Sequence, residues 1–306
     1  MTVGLFLTQA LNGLQLDILL FLLAAGLTLV FGIMNFVNLA HGSLYMMGAY
    51  FAATVFEKTG SFMLAGAVAV PATMLVGVIV ERLALMRLYN RDHLDQVLAT
   101  FGLILFFNEL VRIVWGPASV YMNTPAALSG TVNLFGLPYP SYRFAIIGVG
   151  LAVGGGLYML IHRTRIGMLI RAGATHPDIV AALGVNVRLL NTLVFGLGAA
   201  LAGLAGLMAG PIVSVQPGMG EPILILTLVV IVTGGIGSVR GAFYGALIVG
   251  IVDTIGRAFL PTLLREFLER SLAQAAGPAL ASVLIYVLMA VVLAIRPQGL
   301  FPVRRG

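Results

Sequence analysis

The chain has 306 residues, of which 60% are hydrophobic and only 9% are charged. An ordinary soluble domain carries about 25% charged residues, so the composition excludes a soluble globular fold and predicts apolar runs of about 20 residues that cross a bilayer. The absence of cysteine excludes disulfides, thiolate metal sites and cysteine nucleophiles. The basic residues that give the chain its net charge of +6 lie between the apolar runs. The positive-inside rule accounts for this placement, so we expect no nucleic acid partner.

The first half of the chain predicts five membrane spans. Residues 1–15 are mildly amphipathic and are expected at a membrane interface. The arginines of 81–96 predict that this connection is cytoplasmic, whereas 116–142 holds no Lys or Arg and is expected outside. The predicted spans are 16–34, a segment that restarts after His41-Gly42 and ends at 56, 62–80, 97–115 and 143–161.

The second half predicts spans at 191–210 and 279–295, and an apolar stretch at 223–256 that is interrupted at Gly234–Gly241. Residues 257–278 are expected to form an amphipathic helix at the surface. The arginines after 295 predict a cytoplasmic end. The chain is therefore predicted to be an all-α polytopic membrane protein, a single transmembrane domain over 1–306, with 8–10 transmembrane segments and two broken-helix regions.

A charged interruption at 162–190 separates two predicted spans. Its middle is predicted as short helices that break at Thr175-His176-Pro177, with Gly184 as a stop signal. It is longer than a hairpin needs, and its small residues would let a short helix lie in the groove of a cytoplasmic partner. An ordinary positive-inside loop explains it equally well, and the residues alone leave both interpretations open. Its charges and small residues are Arg163, Arg165, Arg171, Arg188, Asp178, Ala172, Gly173, Ala174, Ala181 and Ala182.

Two breaks within apolar sequence carry polar or flexible residues. At membrane depth such groups must be satisfied by protein or water, so one interpretation is that they line a translocation path. The other is a turn at the membrane surface, with Asn38 capping the helix that follows. The residues concerned are Asn35, Asn38, His41 and Ser43 in the first break, and Thr233, Gly234, Gly235 and Gly237 in the second.

Catalytic patterns are lacking in the sequence. There is no G-x-x-x-x-G-K-[ST] phosphate loop and no H-E-x-x-H metal motif. Three acids lie in or near spans, namely Asp17, Glu109 and Asp253, and an acid within a membrane is a functional candidate. Glu109 and Arg112 are spaced for an ion pair on one helix face, and three scattered acids do not predict a proton relay.

An internal echo relates the two halves. The sequence LTLV occurs at Leu27–Val30 and again at Leu226–Val229, and at the same offset His41–Tyr45 matches Arg240–Tyr244. Each copy consists of an apolar helix, a break, and a restart with glycine, a small or apolar residue and an aromatic residue. Membrane transporters often contain such repeats, with broken helices near the substrate path, so we predict an internal repeat.

The sequence resembles, over nearly the whole chain, the permease subunits of bacterial ABC importers of the branched-chain (hydrophobic) amino acid type, and the resemblance is most specific in four stretches. They are Gly26–Tyr50, Arg163–Val187, Phe195–Gly210 and Gly234–Gly250. In the second stretch the matching pattern is R-x-G-x-x-x-R-A on Arg165, Gly167, Arg171 and Ala172, followed by A-x-x-G on Ala181 and Gly184. Arg240 departs from the family pattern, which often has Pro or Trp there.

The resemblance implies a permease of the bacterial inner membrane that is not itself an enzyme. It implies that 162–190 is a coupling loop on an ATPase, with Arg165, Gly167, Arg171, Ala172, Asp178, Ala181 and Gly184 in that role. The implied partners are two ATP-binding cassette subunits that hold ATP and Mg²⁺, a second homologous permease and a periplasmic or lipid-anchored binding protein. This chain itself is expected to hold no cofactor and no metal. Branched-chain amino acids are the expected substrates; urea, short amides or other small amino acids are alternatives, as is an ion-coupled secondary transporter.

Overall fold

A computed structural model describes residues 3–89, 91–134 and 136–302. Between the fourth and fifth helices an antiparallel hairpin pairs Thr131 with Pro140. The elements are α1 (Val3–Met34), α2 (His41–Thr59), α3 (Phe62–Leu83), α4 (His93–Trp115), β1 (Thr131–Leu134), β2 (Leu137–Pro140), α5 (Ser141–Arg163), α6 (Arg165–Thr175), α7 (Pro177–Ala182), α8 (Val187–Ala209), α9 (Gly220–Gly234), α10 (Val239–Leu264) and α11 (Arg270–Ile295).

Seven helices in the described residues are long and apolar enough to cross a membrane: α1, α3, α4, α5, α8, α10 and α11. The apolar α9 has 15 residues, and α2, with 19 residues, is largely buried against α3 and α8. The all-α polytopic class is confirmed. Helices α2 and α9 lie at two further predicted segments but are not among the seven candidate spans of the described residues.

Helices α1 and α8 form the centre of the bundle, and 78% of the most apolar stretch of each helix is buried. They meet at two glycines, where a Cβ atom on Gly26 would lie 2.8 Å from the carbonyl oxygen of Gly198. Small residues permit this approach, and between helices in lipid such packing is a main source of attraction. The small-residue stretch at 195–210 is therefore a tight crossing surface, as predicted.

The arginine-rich connections meet at one end of the bundle, which we call the basic end. There the end of α1 packs against α6, and Thr192 at the start of α8 bonds to Glu81 at the end of α3. At the opposite end Asn12 of α1 accepts hydrogen bonds from Tyr139 and Arg143. The positive-inside rule assigns the basic end to the cytoplasm. Helix α1 thus begins at the opposite end.

The expected interfacial segment at 1–15 is wrong for the residues described. Helix α1 is continuous from Val3 to Met34, and its residues from Leu7 onward form one apolar span. Its early turns pack against α10, where a Cβ atom on Gly13 would lie 3.3 Å from Thr254. The polar side chains of these turns, Gln9, Asn12 and Gln15, are half-buried or buried against protein. Residues 1 and 2 lie outside the described residues.

The expected surface helix at 257–278 is also wrong. Helix α10 continues to Leu264 and α11 begins at Arg270. Arg257 is exposed but paired, because its Nε donates to Asp253 at 2.7 Å and its Nη2 donates to Ser282 of α11 at 3.0 Å. Pro261 lies inside α10 and packs closely against Gly277 of α11. The charges that suggested a surface helix are therefore paired or exposed at the ends of two spans.

The two predicted breaks occupy comparable places in the chain. The first separates α1 from α2 at 35–40, and the second separates α9 from α10 at 235–238. The helices restart at His41 and Val239, close to the offset of the sequence echo. They differ in environment, because His41 is buried whereas Arg240 is exposed. The internal repeat remains a prediction.

Candidate functional site at the basic end

Two short helices, α6 and α7, form the charged interruption between α5 and α8. Thr164 caps α6, since its side-chain oxygen accepts a hydrogen bond from the amide of Gly167 at 3.0 Å. Pro177 lies in the first turn of α7, where its missing N–H costs nothing. Gly184 follows α7 with a φ of +84°, a conformation in which glycine commonly ends a helix. The predicted helix break and the predicted stop are confirmed.

One face of α6 is fixed to the helices on either side. Gly167 lies so close to the end of α5 that a Cβ atom there would overlap the carbonyl groups of Leu160 and Ile161. Gly173 faces α8, where a Cβ atom would lie 3.1 Å from the Leu190 side chain. Because packed interfaces resist deformation, α6 is held firmly against both α5 and α8.

The other face of α6 and α7 combines apolar and charged side chains in the open. Ile166, Met168, Ile179 and Leu183 are 51%, 55%, 57% and 78% exposed. None of the ion pairs found among the described residues involves the arginines or Asp178 of this face. We call the coupling surface the exposed set Arg165, Ile166, Met168, Arg171, Asp178, Ile179, Ala181, Leu183 and Gly184. Of the predicted coupling residues, Gly167 is buried and Ala172 is half-buried.

The first break is a re-entrant segment. Asn35 ends α1 at the basic end, is exposed, and has a positive φ of +47°. The chain then returns beside α1, because Nε2 of His41 lies 3.1 Å from the carbonyl oxygen of Leu23. The helix between Leu23 and Asn35 is about 18 Å long at 1.5 Å per residue. The segment after Asn35 therefore leads from the basic end back into the middle of the bundle.

Buried polar groups follow this segment inward. Asn38 and His41 are each 1% exposed and Ser43 is 4% exposed. Oδ1 of Asn38 accepts from the amide of Ala40 at 3.1 Å, so Asn38 stabilises a turn and does not cap α2. Nδ2 of Asn38 and Nδ1 of His41 have no partner within the described part of the chain. Such unpaired groups at membrane depth suit residues beside a polar path.

The first break and the coupling loop lie side by side. A cleft of about 310 Å³ separates them, and it is lined by the end of α1 on one side and the α6–α7 junction on the other. The sequence stretches that meet there are Gly32–Asn35 and Gly173–Pro177. Two features that sequence analysis treated separately are thus neighbours in the fold.

The second break lies on the other side of the end of α1. A Cβ atom on Gly32 would lie 3.3 Å from the Cα atom of Gly237. Gly235 and Gly237 have φ values of +114° and +83°, which favour glycine. The carbonyls of Thr233 and Gly234 accept hydrogen bonds from the amides of residues 300 and 301 at 2.9 and 2.8 Å. The last described segment of the chain therefore covers this break.

Comparison with known proteins identifies the family. Residues 9–293 match the model of the permease component of branched-chain amino acid transport systems. The chain belongs to this family. It is accordingly a multi-pass protein of the bacterial inner membrane and a transport subunit.

Three relatives indicate the permease's range of similarity. It is 29% identical to the high-affinity branched-chain amino acid transport system permease protein BraD of Pseudomonas aeruginosa, over 96% of this chain and 95% of that protein. It is 28% identical to the corresponding permease protein LivH of Escherichia coli, over 87% and 91%. A less similar relative is the E. coli ribose import permease protein RbsC, at 25% identity over 76% and 72%. No solved structure matches the chain significantly.

The acids of the permease are arranged singly. Glu109 and Arg112 form the predicted ion pair at 3.0 Å, with both side chains exposed. Asp253 pairs with Arg257 at 2.7 Å, whereas no donor in the described part of the chain reaches the carboxylate of Asp17. Among the described residues no three His, Cys, Asp or Glu side chains form a metal-binding group.

Sequence reasoning missed a polar cluster of the permease at the basic end. Glu81 is fully buried and accepts hydrogen bonds from Tyr89 and Thr192. The adjacent charges Glu81-Arg82 are typical of a span boundary, which hid the role of the acid. The bond to Thr192 crosses 111 positions of sequence, so that no local pattern could have revealed it.

Proposed function

We propose that this permease forms the translocation path of an ATP-driven importer and is moved by ATPase subunits that dock on its coupling surface. The observation that carries the proposal is that the coupling loop and the start of the first break line a common cleft. Exposed apolar side chains beside unpaired arginines suit a protein partner, because arginine can grip carboxylates in a fixed fork geometry.

The proposed cycle begins outside this chain. Two ATP-binding cassette subunits bind ATP and Mg²⁺, close on each other and displace α6 and α7. The buried face of α6 passes the displacement to α5 and α8, and the end of α1 moves with them. Two packed halves then rock around a central path. This permease forms one of these halves, and a second, homologous permease subunit forms the other. A periplasmic or lipid-anchored binding protein delivers the substrate.

The proposed path follows the first break inward. Asn35, Asn38, His41 and Ser43 offer polar groups along a re-entrant segment. Thr233 is buried, and its hydroxyl has no partner within the described residues. Gly237 lets the second break approach Gly32 of α1, whereas Gly234 and Gly235 lie against Gly241 and Phe301. A path that bound its substrate tightly would not release it, so these groups are expected to act as weak, successive contacts.

Branched-chain amino acids are the proposed substrates. Membership of the family and the similarity to the branched-chain amino acid permeases BraD and LivH support this choice. The choice of substrate is expected to rest largely with the external binding protein. Ribose enters the test as a competitor because RbsC is a relative, and urea and short amides enter it as alternatives of similar size.

Purification of the permease from its native membranes in mild detergent tests the assembly. We expect stoichiometric recovery of an ATPase with a phosphate-binding loop, a second permease and the binding protein, each identified by peptide sequencing. A chain that purifies alone, and that transports in vesicles on an ion gradient without ATP, would replace this proposal with a secondary transporter.

A further inference from the structure

Glu81 is a buried acid at the basic end with two hydroxyl donors and no place in the proposed path. Its side chain is fully buried, and its two carboxylate oxygens accept hydrogen bonds from Tyr89 Oη at 2.7 Å and from Thr192 Oγ1 at 2.9 Å. The Nε of Arg82 lies 3.7 Å away on a half-exposed side chain. A buried carboxylate is tolerated only where such partners compensate for lost hydration.

The two hydrogen bonds join three separate parts of the chain. Glu81 lies in the last turn of α3, Tyr89 lies in the connection that follows, and Thr192 lies in the first turns of α8. Asn186 caps α8 by accepting from the amide of Leu189 at 3.0 Å, so α8 begins where the coupling loop ends. The acid therefore connects the exit of the coupling loop to α3.

The connection after α3 is in turn bonded to the first break. The ring of Tyr89 packs edge-on against Phe36, with ring centroids 5.5 Å apart. Gln96 of α4 is 2% exposed; its Oε1 accepts from the amide of Val37 at 3.4 Å and its Nε2 donates to the carbonyl of Leu88 at 3.3 Å. A continuous series of contacts thus leads from the start of α8 through Glu81 to the first break.

We propose that Glu81 is a positioning residue that makes the start of α8, the connection after α3 and the first break move as one unit with the coupling loop. Removing one donor leaves a buried carboxyl oxygen without its hydrogen-bond partner, which costs free energy. Buried polar groups in one network stabilise one another, so the two links depend on each other. The inference rests on the proposed function, since it states how the coupling motion reaches the path.

The test uses the complete importer in proteoliposomes and measures both ATP hydrolysis and substrate taken up per ATP hydrolysed. Thr192→Val removes one hydroxyl at constant shape, and Tyr89→Phe removes the other but keeps the ring on Phe36. Each change is expected to lower uptake per ATP about five-fold or more, the usual size of coupling between sites, while ATP hydrolysis continues. Because the links act in series, the double variant should be no worse than the more affected single variant. Thr192→Ser should restore coupling.

Thr73→Val is the matched control. Thr73 of α3 is also buried, but within the described residues its hydroxyl donates only to the carbonyl of Ala69 in its own helix, at 2.8 Å. Uptake per ATP should be unchanged in this variant. All rates are expressed per assembled complex, which separates a loss of coupling from a loss of protein.

Unchanged uptake per ATP in Thr192→Val and Tyr89→Phe, with normal wild-type transport, would overturn this inference alone. Independent effects that multiply in the double variant would also overturn it, because they would indicate two unconnected packing defects. A wild-type complex that assembles but takes up no substrate with ATP would overturn the proposed function and this inference with it.

Discussion

Asp17 of α1 and Gly250 of α10 face each other so closely that a methyl group at position 250 would overlap the Asp17 carboxylate. Asp17 is 1% exposed, and neither carboxylate oxygen has a hydrogen-bond partner within the described residues. The absence of a side chain at 250 therefore creates the space that the acid occupies. The contact lies on the long interface between α1 and α10.

Substitution of Gly250 by alanine is expected to destabilise this interface. The added methyl group must displace the carboxylate or separate the helices, and overpacking of this kind costs about 1–3 kcal/mol. The melting temperature of the detergent-purified permease should fall. The double variant Asp17→Ala, Gly250→Ala should recover most of the loss, because the shortened side chain frees the space. Equal melting temperatures for wild type and Gly250→Ala would show that the two residues do not compete for it.

Substitution of Asp17 by asparagine is expected to stabilise the permease. An unpaired acid within a bundle must lose its hydration or keep its proton, whereas a neutral amide of the same shape avoids the cost of burying charge. The melting temperature should rise and substrate uptake should be retained. Loss of uptake at normal assembly would contradict the structural role and would assign the acid a part in transport.

The coupling surface predicts a charge-reversal effect at Arg171. Arg171 is exposed on α6, and none of the ion pairs among the described residues involves it. Arg171→Glu is therefore expected to leave expression and insertion intact, while ATP-driven uptake falls at least about five-fold. Arg265→Glu, at the opposite end, should transport normally. ATP-driven uptake by Arg171→Glu that equals wild type would remove the main support for the docking role of α6.

Tryptophan at the second break should impair transport. A side chain at Gly234 would overlap the carbonyl of Gly241, and Gly237 has a φ of +83° close to Gly32, where a residue with a Cβ atom is strained. Gly102→Trp in α4 is the control, because no neighbouring atom of the described residues lies within 4 Å of its Cβ position. Uptake and assembly should fall for the first two variants and be kept for the third. Normal uptake with tryptophan at both 234 and 237 would refute the importance of this break.

The spans could be predicted from sequence because lipid requires long apolar helices, and α4, α5 and α8 extend only a few residues beyond the predicted limits. The prediction of a surface helix at 257–278 was wrong because the charges of this segment are typical of such a helix. In the fold Arg257 finds Asp253 on its own helix and Ser282 on the next. Hydropathy along the chain does not reveal which partner a charge will meet.

The helix break and the helix end in the coupling loop could also be predicted from sequence, because Pro177 and Gly184 act through their own backbone preferences. The site as a whole was harder to predict. The neighbourhood of Asn35 and Pro177 depends on how α1 and α6 pack, and Glu81 depends on Thr192, far along the chain. Such contacts between distant segments have no period or spacing in a single sequence.

The most direct test is uptake of labelled leucine into proteoliposomes that contain the purified complex. The binding protein is added on the external side of the permease, and ATP is supplied on the side of the ATPase. We expect uptake that requires ATP and that unlabelled isoleucine and valine suppress but ribose and urea do not. In Arg171→Glu this uptake should fall at least about five-fold while ATP still binds. Uptake that follows an ion gradient without ATP, or that Arg171→Glu leaves unchanged, would contradict it.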